Sequence, residues 1–107
     1  MVLNSKFLSM LGLCRRAGAL IIGTDLVTKA LPSGKIKLVM YAGSSSPNTE
    51  KKITDKCKFY GVNCVKLTYD GDEIAHAIGK LSSVSVIGTS DENFSRELNS
   101  LISNETR

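Results

Sequence analysis

The sequence has 107 residues, 42% of them apolar, and 14 Lys and Arg against 10 Asp and Glu give a net charge of +4. That length supports one compact domain with a modest core and is too short for two, so residues 1–107 are read as a single unit that makes its interactions on its surface. No apolar run approaches the roughly eighteen residues of a membrane span, and Lys6, Arg15 and Arg16 interrupt any leader-like stretch after Met1, so a cytoplasmic location without membrane attachment is expected.

Leu3, Phe7, Met10, Leu11 and Cys14 recur at helical spacing, and Gly18 is placed to end this first helix in a left-handed cap. After the apolar run Ala19 to Ile22, Gly23 and Thr24 open a second helix whose buried stripe reads Leu26, Val27, Ala30 and Leu31. Pro32 falls in its last turn, so the helix ends early or tightens there. Lys37 to Ala42 holds five consecutive apolar positions, the pattern of a central strand covered on both faces.

Ser46 and Pro47 read as N-cap and first residue of a third helix that buries Ile53, Cys57 and Tyr60 and turns its charges outward, with Gly61 closing it. Val62 to Leu67 reads as a strand. Asp70 with Glu73 forms a capping box for a fourth helix marked by Ile74, Ala77, Ile78 and Leu81 and ended by Gly79. Val84 to Ile87 is the last strand, and Thr89 with Glu92 caps a fifth helix bearing Phe94, Leu98, Leu101 and Ile102. The tail from Ser103 is expected to fray. This alternation predicts an α/β fold, a three-layer α-β-α sandwich around a mixed four-stranded sheet.

The modest net charge conceals an asymmetry. Residues 1–66 carry 11 Lys or Arg against 3 acids, a balance of +8, whereas residues 67–107 are −4. A half polarised in this way suits an anionic partner such as a phosphate backbone, although a solubilising surface has the same signature. Cys14, Cys57 and Cys64 lack metal-ligand spacing and His76 is the only histidine, so no metal or cofactor is expected and the thiols read as small buried hydrophobes.

Four features could carry function. At Gly23-Thr24-Asp25 a helix start offers free N–H groups to a phosphate or base edge, with Lys29 one turn on; plain capping is the alternative. Gly43 to Ser46 is either an anion-binding loop or an ordinary polar one, and it lacks the spacing of a nucleotide-binding P-loop. Lys29, Lys35 and Lys37, with the charged face of the third helix, form either a phosphate track or a solvated face. His76 to Ser83, including Gly79 and Lys80, is a helix end and loop able to pack on a splayed base. No nucleophile, base and acid stand at relay spacing, so no catalytic residue is assigned.

The runs Leu11 to Gly18, Gly23 to Lys29, Lys37 to Val39 and Asn48 to Cys57 resemble bacterial YlxQ-like members of the L7Ae/L30e ribosomal-protein family, and the likeness extends from about Leu8 to Ile102. The resemblance implies an α-β-α sandwich that binds kink-turn RNA, and a non-catalytic, ribosome-associated monomer with ribosomal RNA among its partners is expected. Carried over position by position, Gly23, Thr24 and Asp25 meet the sheared G·A pairs, and Lys29 meets backbone or a guanine. Lys35 and Lys37 lie near the backbone, and Gly79, Lys80, Leu81 and Ser82 cover the extruded nucleotide. Archaeal and eukaryotic members carry Asn-Glu where this chain has Asp25-Leu26, and Lys80-Leu81-Ser82-Ser83 replaces a valine-serine-arginine-proline run, which implies weaker or altered specificity. The competing classes are a phosphate- or nucleotide-binding α/β domain, the substrate-recognition module of an RNA-modifying enzyme, and a protein-interaction domain.

Overall fold

The computed structural model describes residues 5–105; Leu3, assigned above to the first helical stripe, and the last two residues of the tail lie outside them. Four strands, β1 (Leu20–Ile22), β2 (Leu38–Tyr41), β3 (Asn63–Lys66) and β4 (Val86–Thr89), form one sheet in the order β1-β4-β2-β3. β2 and β3 are parallel, while β4 runs antiparallel to both β1 and β2. The helices are α1 (Lys6–Arg16), α2 (Thr24–Ala30), α3 (Pro47–Tyr60), α4 (Gly71–Ile78) and α5 (Glu92–Glu105).

Side-chain alternation along β2 divides the core in two. Leu38 and Met40 face one way and join Phe7 and Leu11 of α1, Ile74 and Ile78 of α4 and Leu98 of α5. Val39 and Tyr41 face the other way and join Val27 of α2 and Ile53 and Cys57 of α3. Burial on both faces is why the strand reads as an unbroken apolar run. Each side chain fully withdrawn from water stabilises the fold by about 1.5–3 kcal/mol. The expected sandwich of helices on both faces of a mixed sheet is the observed one.

The ends of the helices follow their sequences. Ser46 accepts the Thr49 N–H at 3.2 Å with Pro47 first in α3. At α4, Asp70 and Glu73 form a reciprocal capping box with bonds of 2.8 and 2.9 Å. Pro32 ends α2 at Ala30, and the chain tightens into a 3₁₀ turn over Leu31–Ser33. α5 remains helical through Glu105, past the point where fraying was expected.

Several expectations are corrected. The last strand begins at Val86 rather than Val84, because its hydrogen bonding is set by β1 and β2 on either side. Thr89 is its final, buried residue, and its hydroxyl donates to the Ala19 carbonyl at 2.7 Å and accepts the Asp91 N–H at 3.1 Å. Asp91 therefore takes the capping role assigned to Thr89, accepting the Phe94 N–H at 2.9 Å. Leu26 does not belong to the buried stripe of α2, and Tyr60 is partly exposed at the end of α3. Leu81 lies beyond α4 in open solvent, because Gly79 turns the chain away at φ 78°.

Candidate nucleic-acid interface

The antiparallel pairing of β1 with β4 creates the site. It sets Ile22 opposite Ile87 and lets the Gly23 N–H donate to the Val86 carbonyl at 2.8 Å. The chain leaving β1 into α2 is thereby fixed beside the chain entering β4 from the segment 79–85. Between them lies an open cleft of about 690 Å³, whose walls include Gly23 and Thr24 on one side and Gly79 to Ser85 on the other. Gly23 has φ 109° and ψ 145°, a conformation in which other residues are strained, and this sharp entry aims the start of α2 at the cleft.

The lining is polar and cationic. The first intrahelical bond of α2 runs from the Val27 N–H to the Gly23 carbonyl, and no side chain caps the start, so the preceding N–H groups of Thr24 to Leu26 are not consumed by the helix. Thr24, Ser82, Ser83 and Ser85 supply hydroxyls, and Arg15 and Lys80 supply charge, while no carboxylate is among the lining residues. Asp25 is exposed one residue further along the helix, as is Leu26.

Arg15 escaped the sequence reading. It stands in the last turn of α1 and donates from Nη1 to the Ile78 carbonyl at 3.0 Å, one of the orphan acceptors at the end of α4. The guanidinium thus braces the start of the segment 79–85 while lying in the wall of the cleft. The signal that could have found it was the Arg15-Arg16 pair closing a helix just before a left-handed glycine, which is indistinguishable from ordinary dipole compensation until α1 is known to pack against α4.

The fold does not bring every candidate to this place. Gly23, Thr24, Gly79, Lys80, Leu81 and Ser82 share the cleft. Lys29 is exposed near the end of α2, about 7.5 Å along the helix from Thr24. Lys35 and Lys37 lie at the opposite end of the sheet, where the Lys37 N–H donates to the carbonyl of Thr89, not of Val86. His76 is exposed and shares a different groove with Asp72 and Glu73.

In the serine-rich loop Ser44 and Ser46 are engaged in internal bonds, whereas the buried Ser45 Oγ has no hydrogen-bond partner among the described residues. Ser44 accepts the Gly71 N–H at 3.0 Å, Ser46 caps α3, and Gly43 lies so close to the Leu67 carbonyl that a Cβ would come within 2.7 Å of it. On the charged face of α3, Lys51 pairs with Asp55 at 3.1 Å, and Glu50 receives Lys66 and the Tyr41 hydroxyl. Cys14 and Cys57 are buried and Cys64 half-buried, all as free thiols; burial pushes Cys14 up, and the hydrogen bond between Cys57 and Cys64 holds Cys57 down and raises Cys64. Among the described residues no group of three or more His, Cys, Asp or Glu side chains is placed to hold a metal.

Known proteins share both sequence and fold. The RNA-binding protein YlxQ of Enterococcus faecium is 37% identical over 99 residues, covering 92% of this chain and 93% of its own. The RNA-binding protein YlxQ of Bacillus subtilis (strain 168) is 36% identical over 97 residues, covering 91% and 95%. A solved structure of a protein of unknown function from Bacillus halodurans superimposes with a TM-score of 0.86 at 37% identity, covering 94% of this chain and 99% of that one. The 15.5 kD RNA binding protein of Giardia lamblia, at 17% identity, has the same fold, with a TM-score of 0.77 over 97% of this chain and 90% of its own. Residues 5–99 match the ribosomal protein L7Ae/L30e/S12e/Gadd45 family, and with the four-stranded mixed sheet between two helical layers this makes the chain a member of that family.

Proposed function

We propose that the chain is a non-catalytic RNA-binding protein of the cytoplasm that recognises kink-turn-like bent RNA, including elements of ribosomal RNA. The observation that carries this reading is the convergence of two separate chain segments, the start of α2 and residues 79–85, on one cleft with cationic walls and no carboxylate in its lining. Structured RNA is recognised by shape, by exposed base edges and by unstacked bases rather than by a major-groove code. The uncapped N–H groups at Thr24 to Leu26 suit phosphate or base-edge acceptors, and Arg15 and Lys80 suit the backbone. The relatives named as RNA-binding support the same reading.

Two positions adjust affinity. Asp25 places an anion beside the helix start, and Leu26 offers no hydrogen bond, so replacing the pair by Asn and Glu is expected to tighten binding by restoring polar partners for guanine. Lys29→Ala is expected to weaken binding and to reduce the salt slope by about 0.7–0.9, the contribution of one neutralised phosphate. The phosphate-loop reading is disfavoured because Ser44 and Ser46 already bond within the fold.

The deciding measurement is fluorescence anisotropy with a folded kink-turn and a straight duplex of equal length and charge at fixed salt. Preference for the bent RNA by an order of magnitude or more is expected; equal affinity would remove the reading.

A further inference from the structure

The far end of α3 carries a surface that the cleft does not use. Phe59 is 80% exposed, although an aromatic ring gains by leaving water. Its ring stands edge-on to Tyr60, with centroids 4.9 Å apart and planes at 88°. Lys52, Asp55 and Lys56 line a shallow groove with these rings, on one helical face because their spacings are three and four residues. Asp55 is engaged by Lys51, so Lys52 and Lys56 are left as cations without an ion pair among the described residues.

Topology adds to the charge there. α3 leaves the end of β2 and returns to the start of β3, which is parallel to β2, so Phe59 and Tyr60 lie at the end of the sheet where Lys35 and Lys37 enter it. At 1.5 Å per residue, Phe59 is about 18 Å along the helix axis from Pro47. The cleft lies at the other end of the sheet, so a strand flanking the RNA held there is the segment suited to this face.

We propose that this face is a second nucleic-acid contact, which takes an unpaired RNA segment by stacking a base on Phe59 and setting flanking phosphates against Lys52 and Lys56. An open aromatic ring beside cations is the arrangement that binds single strands with little sequence preference. A protein partner is less well matched, because the groove sets two cations without ion pairs among the described residues, and one carboxylate already engaged by Lys51, around two rings rather than presenting a continuous apolar face. The proposal rests on the chain binding RNA, and not on what occupies the cleft.

The test uses the full chain and labelled octauridine, which has no secondary structure, in anisotropy titrations at several salt concentrations. Phe59→Leu keeps an apolar side chain but removes the stacking surface, and it is expected to weaken octauridine binding about five- to fifty-fold while Phe59→Tyr retains it. Lys52→Gln with Lys56→Gln is expected to reduce the salt slope by about 1.4. Binding of a fully paired bent RNA is expected to be unchanged by Phe59→Leu. Equal octauridine binding by wild type and Phe59→Leu overturns the proposal, as does a lower sedimentation coefficient for Phe59→Leu, which would identify a second copy of the chain as the occupant. Failure of the cleft reading has a different signature, equal affinity for bent and straight duplexes.

Discussion

Substitution of Arg15 separates the two tasks its guanidinium performs. Its Nη1 donates to the Ile78 carbonyl at 3.0 Å in a partly buried position, satisfying a helix-end acceptor and placing a cation at the negative end of the α4 dipole. A hydrogen bond from a charged group contributes about 1.5–3 kcal/mol, and solvent at this exposed side chain brings that down to about 1 kcal/mol. For a domain of this size that is a fall of roughly 4–8 °C in the unfolding midpoint of Arg15→Ala. If the remaining N–H groups meet phosphate, the same variant loses about tenfold in RNA affinity and about 0.9 in salt slope. Arg15→Lys is the informative control. An ammonium restores the charge, so the slope returns, but it lacks the planar fork that bonds a carbonyl and a phosphate together, so the midpoint stays depressed. Thermal melts and salt-dependent anisotropy on the three proteins read both quantities. An unchanged midpoint and slope in Arg15→Ala would refute the reasoning, and a lowered midpoint with an unchanged slope would reduce Arg15 to a brace.

Two further substitutions probe the scaffold. At Gly71 an added Cβ would lie 2.1 Å from Ser83 Oγ and 3.0 Å from the Val84 carbonyl, so Gly71→Ala is expected to cost about 1–2 kcal/mol and to push the wall of the cleft outward; denaturant titration and the bent-RNA affinity check it. Tyr41 donates to Glu50 at 3.1 Å, and burial first, then that hydrogen bond and the Glu50 charge, push its pKa up to about 12. Above about pH 10 the unfolded chain loses the phenolic proton while the folded chain keeps it, so the contribution of Tyr41 is present below pH 10 and disappears by about pH 12. Discounted for screening at half-exposed Glu50, the loss is about 1–2 kcal/mol. Tyr41→Phe is expected to show a smaller fall in melting temperature than wild type between these pH values, and parallel declines would contradict the assignment.

Where sequence reading succeeded, the determinant was local. The Asp70 and Glu73 box, the Ser46-Pro47 start and the strand at Leu38 to Tyr41 each depend on a few neighbouring residues. Where it failed, the determinant lay across the fold. Leu26, Val27, Ala30 and Leu31 span about 140° of a helix, and only the position of the sheet decides that Val27 and Leu31 are inside and Leu26 is outside. Helical spacing assigns Leu81 to the stripe of α4 although Gly79 ends the helix before it, and past that left-handed residue the chain no longer follows the helical period. The apolar run places the last strand at Val84 to Ile87, whereas β4 runs from Val86 to Thr89 with Gly88 buried in mid-sheet, where a Cβ would come within 3.3 Å of the Leu38 carbonyl. The residues themselves mark two separate segments, which only the family resemblance places on one RNA. The β1–β4 pairing is the physical reason they meet, and Arg15 required the packing of α1 on α4.

That construction assigns affinity and selectivity to different physical causes. Attraction of lysine and arginine to phosphate is nearly independent of RNA shape, so charge at Arg15, Lys29 and Lys80 adds about equally to bent and straight RNA. Preference for a bend must arise from the fixed separation of the two walls, which the β1–β4 ladder holds on one side and the Gly71 N–H to Ser44 bond with the Val84 N–H to Gly71 bond hold on the other. Loss of the Lys80 charge, whose side chain braces neither wall, should therefore lower affinity for both RNAs and leave their ratio nearly intact. Gly71→Ala touches no charge but displaces a wall, so it should reduce the ratio of bent to straight affinity more than it reduces affinity for the straight duplex. The opposite pattern, a collapsed ratio in Lys80→Gln and an intact one in Gly71→Ala, would mean that the bend is read by charge placement and that the spacing of the walls contributes nothing to selectivity.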